Sequence, residues 1–159
     1  MNVLYGHTEF ITAWVKARVG GTAGDSFGPS AALGVMDKSR LIAGVVFHDW
    51  QPAFRTIQAS CAADDPRWAM RGILSEILSY PFYQLGVNRI NTIAAADNTR
   101  AREFNKRLGM TEECVAVEWL GDRDAVFYRL LKREWEVGRF CKKERENGTV
   151  QKAQSTSRA

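Results

Sequence analysis

The first half of the chain alternates between the apolar spacing of a helix and that of strands. Apolar residues at positions 10, 11, 14 and 15 follow a helical i, i+1, i+4, i+5 pattern, which the glycine pair at 20 and 21 would end. Residues 20–30 are rich in Gly, Ser and Thr and predict a loop. Apolar runs on either side of 37–39 predict a β-hairpin, and residues 54–63 predict a third strand.

The second half of the chain combines three further helices with three strands. Asp64-Asp65-Pro66 is typical of a helix start, and this helix would run to Gly86 with a kink or break at Pro81. The order of elements predicts a mixed α/β sheet with helices packed on it. An exposed helix is expected over 133–146 and a disordered end over 147–159. The remaining strands are expected at 89–96, 111–120 and 125–131, and a further helix is expected at 97–108.

Length and charge describe one globular domain with a basic end. The chain has 159 residues and a formal net charge of +4, a size at which one domain of roughly 100–200 residues is expected. The stretch 142–159 holds five basic and two acidic residues, so residues 1–141 carry only +1. We expect a domain over 1–141 and a basic, disordered tail over 142–159. A nucleic-acid partner is not expected, except for weak binding by the tail.

Cysteine and histidine usage excludes two further classes of site. Three cysteines without a CxxC pair, and two histidines far apart in sequence, exclude a disulfide framework and a zinc site, so no metal is expected. The N-terminus lacks the basic and apolar regions of a signal peptide, and no apolar run approaches the roughly 20 residues of a membrane span. We therefore expect a cytoplasmic protein without a membrane partner.

The segment 62–72, with the sequence AADDPRWAMRG, combines features of an anion site. A strand passes into a helix through a loop that contains Arg67, Arg71 and Gly72. The N–H groups at a helix start are unpaired and carry the positive end of the helix dipole. The arginines add charge-assisted donors for phosphate, and Gly72 allows a ligand close to the backbone. A solvated turn is the alternative for this segment.

A second polar segment opens the helix at 97–108. Helical spacing places Asn98, Arg102 and Asn105 on one face and leaves an apolar stripe on the other. Such an amide-rich face suits a ligand that carries both amides and phosphates. The alternative is that Asn98 only caps the helix and that the arginine is solvated.

Together, the two segments resemble the GNAT superfamily of acetyl-CoA-dependent N-acetyltransferases, most closely the branch that acetylates ribosomal-protein N-termini. The likeness spans about residues 41–131. It consists of a loop glycine with glutamate four positions later, a Tyr-x-Phe-x-x-Leu-Gly-x-x-Arg-hydrophobic pattern, and an asparagine followed by a small residue and a closing Leu-Gly-Met. The residues that carry it are Gly72, Glu76, Tyr80, Phe82, Leu85, Gly86, Arg89, Ile90, Asn98, Ala101, Leu108, Gly109 and Met110.

The resemblance implies an α/β (α+β) GNAT fold, with a mixed, mostly antiparallel central sheet of six to seven strands, a parallel splayed pair and flanking helices. It also implies that an acetyl group passes from acetyl-CoA to a primary amine by direct attack in a ternary complex. The amine would belong to a protein N-terminus, a lysine or a small molecule, and the enzyme would be a monomer or a homodimer. The alternative is a catalytically silent GNAT-fold module that binds acetyl-CoA or a protein partner.

The same resemblance implies how the chain would hold the cofactor. The strand 56–62 would splay from the strand 89–96 and pair with the pantetheine amides. The loop at 67–73 would bind the pyrophosphate, and the polar helix face would reach pantetheine and the outer phosphates. The implied cofactor-binding residues are Ser60, Arg67, Trp68, Met70, Arg71, Gly72, Ile73, Asn98 and Arg102.

The loop departs from the family signature Gln/Arg-x-x-Gly-x-Gly/Ala, and two registers remain open. With Gly72 as the first glycine, Glu76 falls in place but Ala69 replaces the leading Gln/Arg. With Gly72 as the last position, Arg67 leads correctly but Met70 replaces the first glycine. The first register is the one we favour, because it also places Glu76.

Three residues are candidates for catalysis. Asn105 stands where many members carry a tyrosine general acid, and Ala101 replaces the serine of another branch; an asparagine can donate a hydrogen bond but no proton. Because a thiol has a pKa of about 8.5, its thiolate can leave without full protonation. His48 would serve as the base and Asp49 would orient an ammonium substrate. The alternatives are a hydrogen-bonded sheet histidine and a solvated strand end.

Overall fold

The computed structural model describes residues 1–20 and 26–142, which form a seven-stranded sheet with helices on both faces. The strand order is β1-β2-β3-β4-β5-β7-β6, and every neighbouring pair is antiparallel except β4 and β5. The expected mixed, mostly antiparallel sheet is confirmed. The elements are β1 (Asn2–Leu4), α1 (Thr8–Val19), β2 (Ser30–Asp37), β3 (Arg40–Gln51), β4 (Thr56–Ala63), α2 (Arg71–Ser79), β5 (Arg89–Ala95), α3 (Thr99–Leu108), β6 (Thr111–Leu120), β7 (Arg123–Leu131) and α4 (Lys132–Val137).

The parallel pair β4 and β5 separates soon after it begins. Only Thr56, Ile57 and Gln58 pair with β5, and the last of them lies opposite Asn91. Beyond that point β4 continues to pair with β3 as far as Ala63, while β5 continues to pair with β7. The edge of β4 that faces β5 is therefore without a strand partner from position 59 onward in the described chain, which confirms the expected splayed pair.

Both faces of the sheet are covered by apolar contacts. The larger core cluster joins the strands to α2, α3 and α4 and includes Phe47 and Tyr128. The smaller cluster lies beneath α1, where Ile11 and Val15 are fully buried. β3 contributes Phe47 to the larger cluster and Val46 to the smaller one, which explains why its sequence is apolar without interruption.

The helix expected from Pro66 starts later than the sequence suggested. Pro66–Ala69 form a 3-10 turn, which Asp65 caps by accepting the N–H of Arg67 at 2.9 Å. Met70 is extended, and α2 begins only at Arg71. The aspartate cap stabilises a short turn of its own, so the long helix is displaced toward the C-terminus.

The break expected at Pro81 is confirmed. The chain widens there into a π-helical turn over Tyr80–Gln84, and Pro81 itself has no N–H with which to continue the α-helical hydrogen bonds. Gly86 follows with φ +70°, a conformation that favours glycine, and leads the chain into β5.

The last helix is shorter and less exposed than expected. α4 covers Lys132–Val137 rather than 133–146, and Trp135 on it is buried against Phe82 with ring centroids 5.1 Å apart. The boundary at 141 and the tail after it stay predictions, because residues 143–159 lie outside the described residues, as does part of the expected loop at 20–30.

α1 lies directly on two glycines of the sheet. Gly34 and Gly44 pair across β2 and β3, and both face Ile11. A Cβ on Gly44 would lie 2.7 Å from Cγ2 of Val15 and 3.0 Å from Cγ2 of Ile11. Because protein interiors are close-packed, α1 can approach the sheet this closely only if position 44 has no side chain.

We expect Gly44→Ala to lower the free energy of unfolding by about 1–3 kcal/mol, the usual cost of an extra methyl group in a packed core. Gly72→Ala is the matched control, since a Cβ there would meet only the flexible end of Lys142 at 3.0 Å. Urea denaturation of the two variants measures the difference. Equal midpoints would contradict the close approach of α1 to β3.

Candidate active site

α2 follows β4, the strand that has an unpaired edge from position 59 onward in the described chain. It follows β4 through the 3-10 turn and the extended residue Met70, and its first residues are Arg71, Gly72 and Ile73. The N–H groups of a first helical turn have no acceptor within the helix, and the helix dipole places positive charge there. This end of α2 therefore favours an anion.

A cavity of about 560 Å³ opens at the same place. It is lined by Pro66, Ala69, Arg71, Arg107, Arg139 and Phe140. Its three arginines come from the first turn of α2, the last turn of α3 and the segment after α4. Residues that are distant in sequence thus surround one positively charged opening at the start of α2.

These three arginines differ from most others in the structure, which pair with carboxylates. Arg71 donates to the carbonyl of Cys141 at 3.3 Å, and Arg139 donates to the carbonyl of Arg107 at 3.3 Å. Within residues 1–20 and 26–142, none of the three forms an ion pair. The arginine–carboxylate pairs are Arg18–Asp64, Arg67–Asp65, Arg89–Glu113, Arg102–Glu112, Arg123–Asp97 and Arg129–Glu134.

Lys142 places a further cation beside the start of α2. Its backbone N–H donates to Oγ of Ser75 at 2.9 Å, which fixes the segment after α4 against α2. Its side-chain nitrogen would lie 3.0 Å from a Cβ on Gly72, so the glycine leaves room for it. A cation beside the positive end of a helix is favourable only when an anion joins them, which strengthens the case for an anion site.

Arg67, an expected phosphate ligand, is paired with two carboxylates in the structure. Its guanidinium contacts Oδ2 of Asp65 at 2.6 Å and Oδ2 of Asp37 at 3.0 Å. The hydrogen bonds from the Arg67 side chain and backbone lower the pKa of Asp65 to about 2, and the two carboxylates raise the pKa of Arg67. Arg67 therefore fastens the loop to the β2–β3 turn, while Arg71 lines the cavity.

The other loop residues divide into core and exposed side chains. Trp68 is buried, with its ring centroid 5.3 Å from that of Phe104, and Ile73 belongs to the larger core cluster. Only the backbone of these two residues is thus available to a ligand at the cavity. Met70 is exposed, and Gly72 has only Lys142 near its α-carbon.

The polar face predicted for α3 is occupied by contacts within the protein. Asn98 caps α3 by accepting the N–H of Ala101 at 3.1 Å. Arg102 donates to the carbonyl of Ala96 at 2.9 Å and to the hydroxyl of Tyr128 at 3.3 Å. Asn105 is 7% exposed. Asn98 therefore caps α3, and Arg102 is not the solvated arginine of the alternative, because it holds α3 against β7.

His48, Asp49 and Ser60 form a connected cluster. Nδ1 of His48 lies 2.7 Å from Oδ2 of Asp49, and Nε2 lies 3.0 Å from Oγ of Ser60. The imidazole is 8% exposed and packs on Phe27, with centroids 4.9 Å apart, whereas the Asp49 side chain is 66% exposed. The cluster thus combines a buried imidazole with a carboxylate at the surface.

The cluster and the cavity lie on opposite faces of the sheet. Along β4, Ile57 and Ala59 belong to the larger cluster beneath α2 and α3, while Ala62 packs beneath α1. Since side chains alternate along a strand, Ser60 points to the α1 face together with His48. The unpaired edge of β4, which lies in the plane of the sheet, stands between the two faces.

Glu76, which the family pattern singled out, makes a contact that no periodicity indicated. It accepts a hydrogen bond of 2.8 Å from the hydroxyl of Tyr5, just after β1. Partial burial and this carboxylate raise the pKa of Tyr5 to about 12. β1 is too short to produce a periodic signal, so the sequence could not indicate this partner.

Sequence reasoning missed Arg107 and Arg139. Arg107 lies in the last turn of α3, directly before the leucine of the Leu-Gly-Met pattern, and a basic residue there also suits the helix C-terminus. Arg139 follows α4 in a segment without periodicity, so nothing in the sequence placed it near α2. Both could be found only from the folded arrangement.

Three further findings complete the description. Within residues 1–20 and 26–142, no three His, Cys, Asp or Glu side chains cluster as a metal site. In the same ranges, no helix has the length and apolar character needed to cross a membrane. Cys61, Cys114 and Cys141 form no disulfide bonds with one another.

Comparison with known sequences gives one local match. The sequence matches no protein-family model. Over 65 residues it is 38% identical to a Bacillus subtilis (strain 168) protein provisionally assigned as the ribosomal N-acetyltransferase YdaF. The match covers 38% of this chain and 36% of that protein, so it spans about a third of the relative's length.

Comparison with solved structures shows a shared fold. A probable acetyltransferase is 23% identical over 68% of this chain and 65% of its own, with a TM-score of 0.59. A point mutant of spermidine N-acetyltransferase SpeG from Vibrio cholerae is 20% identical over 68% of this chain and 69% of its own, with a TM-score of 0.58. A dodecameric form of that enzyme gives a TM-score of 0.60 at 20% identity, over 68% of each chain. The expected fold is confirmed.

We expect the pKa of Asp65 to lie near 2 and to rise part of the way toward the ordinary carboxyl value of about 3.9 in Arg67→Ala, which keeps the backbone N–H. Because the folded pKa is the lower one, the pair stabilises the fold above about pH 4, and this stabilisation is lost as the pH falls toward 2. NMR titration of the carboxyl measures it. Arg71→Ala is the control, and an unchanged Asp65 pKa in Arg67→Ala would contradict the contact.

Proposed function

We propose that the chain is a member of the GNAT superfamily of acetyltransferases and that it transfers an acetyl group from acetyl-CoA to a primary amine; the local sequence match and the shared fold support this. The observation that carries the proposal is the cavity at the start of α2, where Arg71, Arg107 and Arg139 converge without carboxylate partners in the described chain. Such a cluster at a helix N-terminus is suited to a ligand with several phosphate groups.

The residues present fit acetyl-CoA from its phosphates to its thioester. The three arginines and Lys142 would hold the phosphates, together with the backbone N–H groups of Gly72 and Ile73. The free edge of β4 from position 59 onward offers N–H and C=O groups to the amides of pantetheine. When bound, acetyl-CoA supplies an acetyl group on a thioester, which an amine can attack.

The cluster at the end of β3 would prepare the amine. The ionised carboxylate of Asp49 can only accept a hydrogen bond, so Nδ1 of the neutral imidazole carries the proton, and Nε2, which accepts from the hydroxyl of Ser60, has the lone pair that can take one. His48 would remove the proton from the ammonium form of the acceptor. The exposed carboxylate of Asp49 would attract that ammonium before it loses its proton. Asn105, on α3, would donate a hydrogen bond toward the leaving sulfur.

The class of amine is also part of the proposal. One relative's name refers to ribosomal acetylation and another's to spermidine, so N-terminal peptides, lysine peptides and polyamines form the test panel. A cytoplasmic location and a monomeric or homodimeric state remain our expectations. The replacement of the family tyrosine by Asn105 favours a second candidate, a module that binds acetyl-CoA without turnover.

Arg107→Ala and Arg139→Ala are each expected to weaken acetyl-CoA binding about tenfold, equivalent to about 1.4 kcal/mol, the size of one charge-assisted hydrogen bond. Isothermal titration calorimetry measures the affinities. Arg133→Ala is the matched control, since Arg133 does not line the cavity. Acetyl-pantetheine, which lacks these phosphates, should bind the variants and the wild type equally. No binding of acetyl-CoA by the wild type at millimolar concentration would rule out the proposed function.

His48→Gln is expected to lower acetylation by about 10²–10⁴-fold, the usual contribution of a general base, while acetyl-CoA still binds. Thiol release with the amine panel measures activity, and the ascending limb of its pH profile should disappear in the variant. His7→Gln, which replaces the other histidine, is the control. Full activity in His48→Gln would remove the imidazole from the mechanism, and binding without turnover by the wild type would favour the non-catalytic module.

A further inference from the structure

His48 has the contacts of a histidine that activates a serine, and not only those of a base that acts on a substrate. One ring nitrogen contacts the carboxylate of Asp49 at 2.7 Å, and the other contacts the hydroxyl of Ser60 at 3.0 Å. A nucleophile within hydrogen-bond reach of a base, with the base held by a third group, is the arrangement that activates a serine.

The proton positions follow from the partners. Because the carboxylate can only accept, Nδ1 of the neutral imidazole must donate to it, and Nε2 then has a lone pair directed at Ser60. The serine hydroxyl donates to that nitrogen. His48 is therefore placed to take the proton of Ser60 as its oxygen forms a bond.

A break in β3 makes this arrangement possible. Side chains of adjacent strand residues normally point to opposite faces, so His48 and Asp49 should not meet. The register of β3 against β4 shifts after His48, and Asp49 has φ +51°, in the left-handed region. This turn of the backbone brings the carboxylate onto the neighbouring ring. A non-glycine residue held in that region at a cluster of reactive groups is typical of functional sites.

Ser60 lies on the part of β4 where the proposed thioester substrate would bind. The residue lies two positions beyond Gln58, the last residue of β4 that pairs with β5. Its opposite neighbour on β3 is Val46, so the strand that carries it is fixed on one side and free on the other. The proposed function places the acyl-carrying arm of acetyl-CoA along that free edge.

From this geometry we propose that Ser60 is a nucleophile that accepts the acetyl group of acetyl-CoA when no amine occupies the site, so that the protein is also a thioesterase. The inference rests on the proposed function for the source of the thioester. Nε2 of His48 takes the hydroxyl proton while Oγ of Ser60 bonds to the acetyl carbonyl carbon. The carbon–sulfur bond breaks, and the CoA sulfur leaves with the electron pair and receives that proton.

Water completes the cycle. It attacks the acetyl-serine ester and gives a proton to Nε2, the bond between the acetyl carbon and Oγ breaks, and Oγ regains the proton from His48. The net reaction converts acetyl-CoA and water into CoA and acetic acid, which then ionises. A bound amine uses the same imidazole, so it competes with Ser60 and suppresses the hydrolysis.

The experiment uses the full chain and reads out the activated serine in two ways. A fluorophosphonate probe, which needs no cofactor, is expected to label Ser60, with labelling lost in Ser60→Ala and at least tenfold slower in His48→Gln and Asp49→Asn. Incubation with acetyl-CoA alone should release CoA, and acid-quenched samples analysed by mass spectrometry should carry one acetyl group on the peptide with Ser60. Ser39→Ala, in the exposed β2–β3 turn, is the matched control.

Two outcomes overturn the proposal: wild-type Ser60 that does not react with the probe, or amine-independent CoA release that is as fast in Ser60→Ala as in Ser39→Ala. The second outcome would mean that water attacks the thioester carbonyl directly, without a serine ester. These failures differ from failure of the proposed function, which appears as absent acetyl-CoA binding in calorimetry. Unchanged melting temperatures exclude misfolding of the variants.

Discussion

Only three residue pairs hold β4 to β5, and the candidate site depends on where that pairing stops. Parallel neighbours need a crossover, and here it contains α2. A crossover helix starts from the carboxyl end of the first strand, so its unpaired N–H groups lie at the end where the two strands have already moved apart. The proposed anion site and the free strand edge are thus consequences of one topological feature.

The same separation brings together groups that belong to different faces of the sheet. The arginines of the cavity lie with α2 and α3, whereas His48 and Ser60 lie with α1. A closed sheet would keep the two sets apart. Because β4 has a free edge between them, an extended molecule could place its phosphates against the arginines on one side. Its reactive end could then lie near the imidazole on the other side.

The sequence predicted the elements better than it predicted the contacts of individual polar residues. Continuous apolar runs identified the strands, because β3 is buried on both faces. The sequence gives no reason to expect different contacts for Arg67 and Arg71, which lie in the same loop. In the structure Asp37 pairs with Arg67, although it lies thirty positions earlier in the chain, and does not pair with Arg71. Such a partner is set by tertiary structure and leaves no local pattern. The contact between His48 and Asp49 was equally inaccessible, since it depends on the positive φ of Asp49. The residue types indicated the chemistry, and the backbone determined the geometry.

The ion pairs of Arg67 also shape the electrostatic potential around α2. Asp37 and Asp65 neutralise that arginine on the side of the β2–β3 turn, while Arg71, Arg107, Arg139 and Lys142 are concentrated on the side of α3. The electrostatic potential at the start of α2 therefore rises from the neutralised side, next to the β2–β3 turn, to the positive side, next to α3. A polyanion that diffuses toward the protein would experience this field before contact, so the field would orient it during its approach.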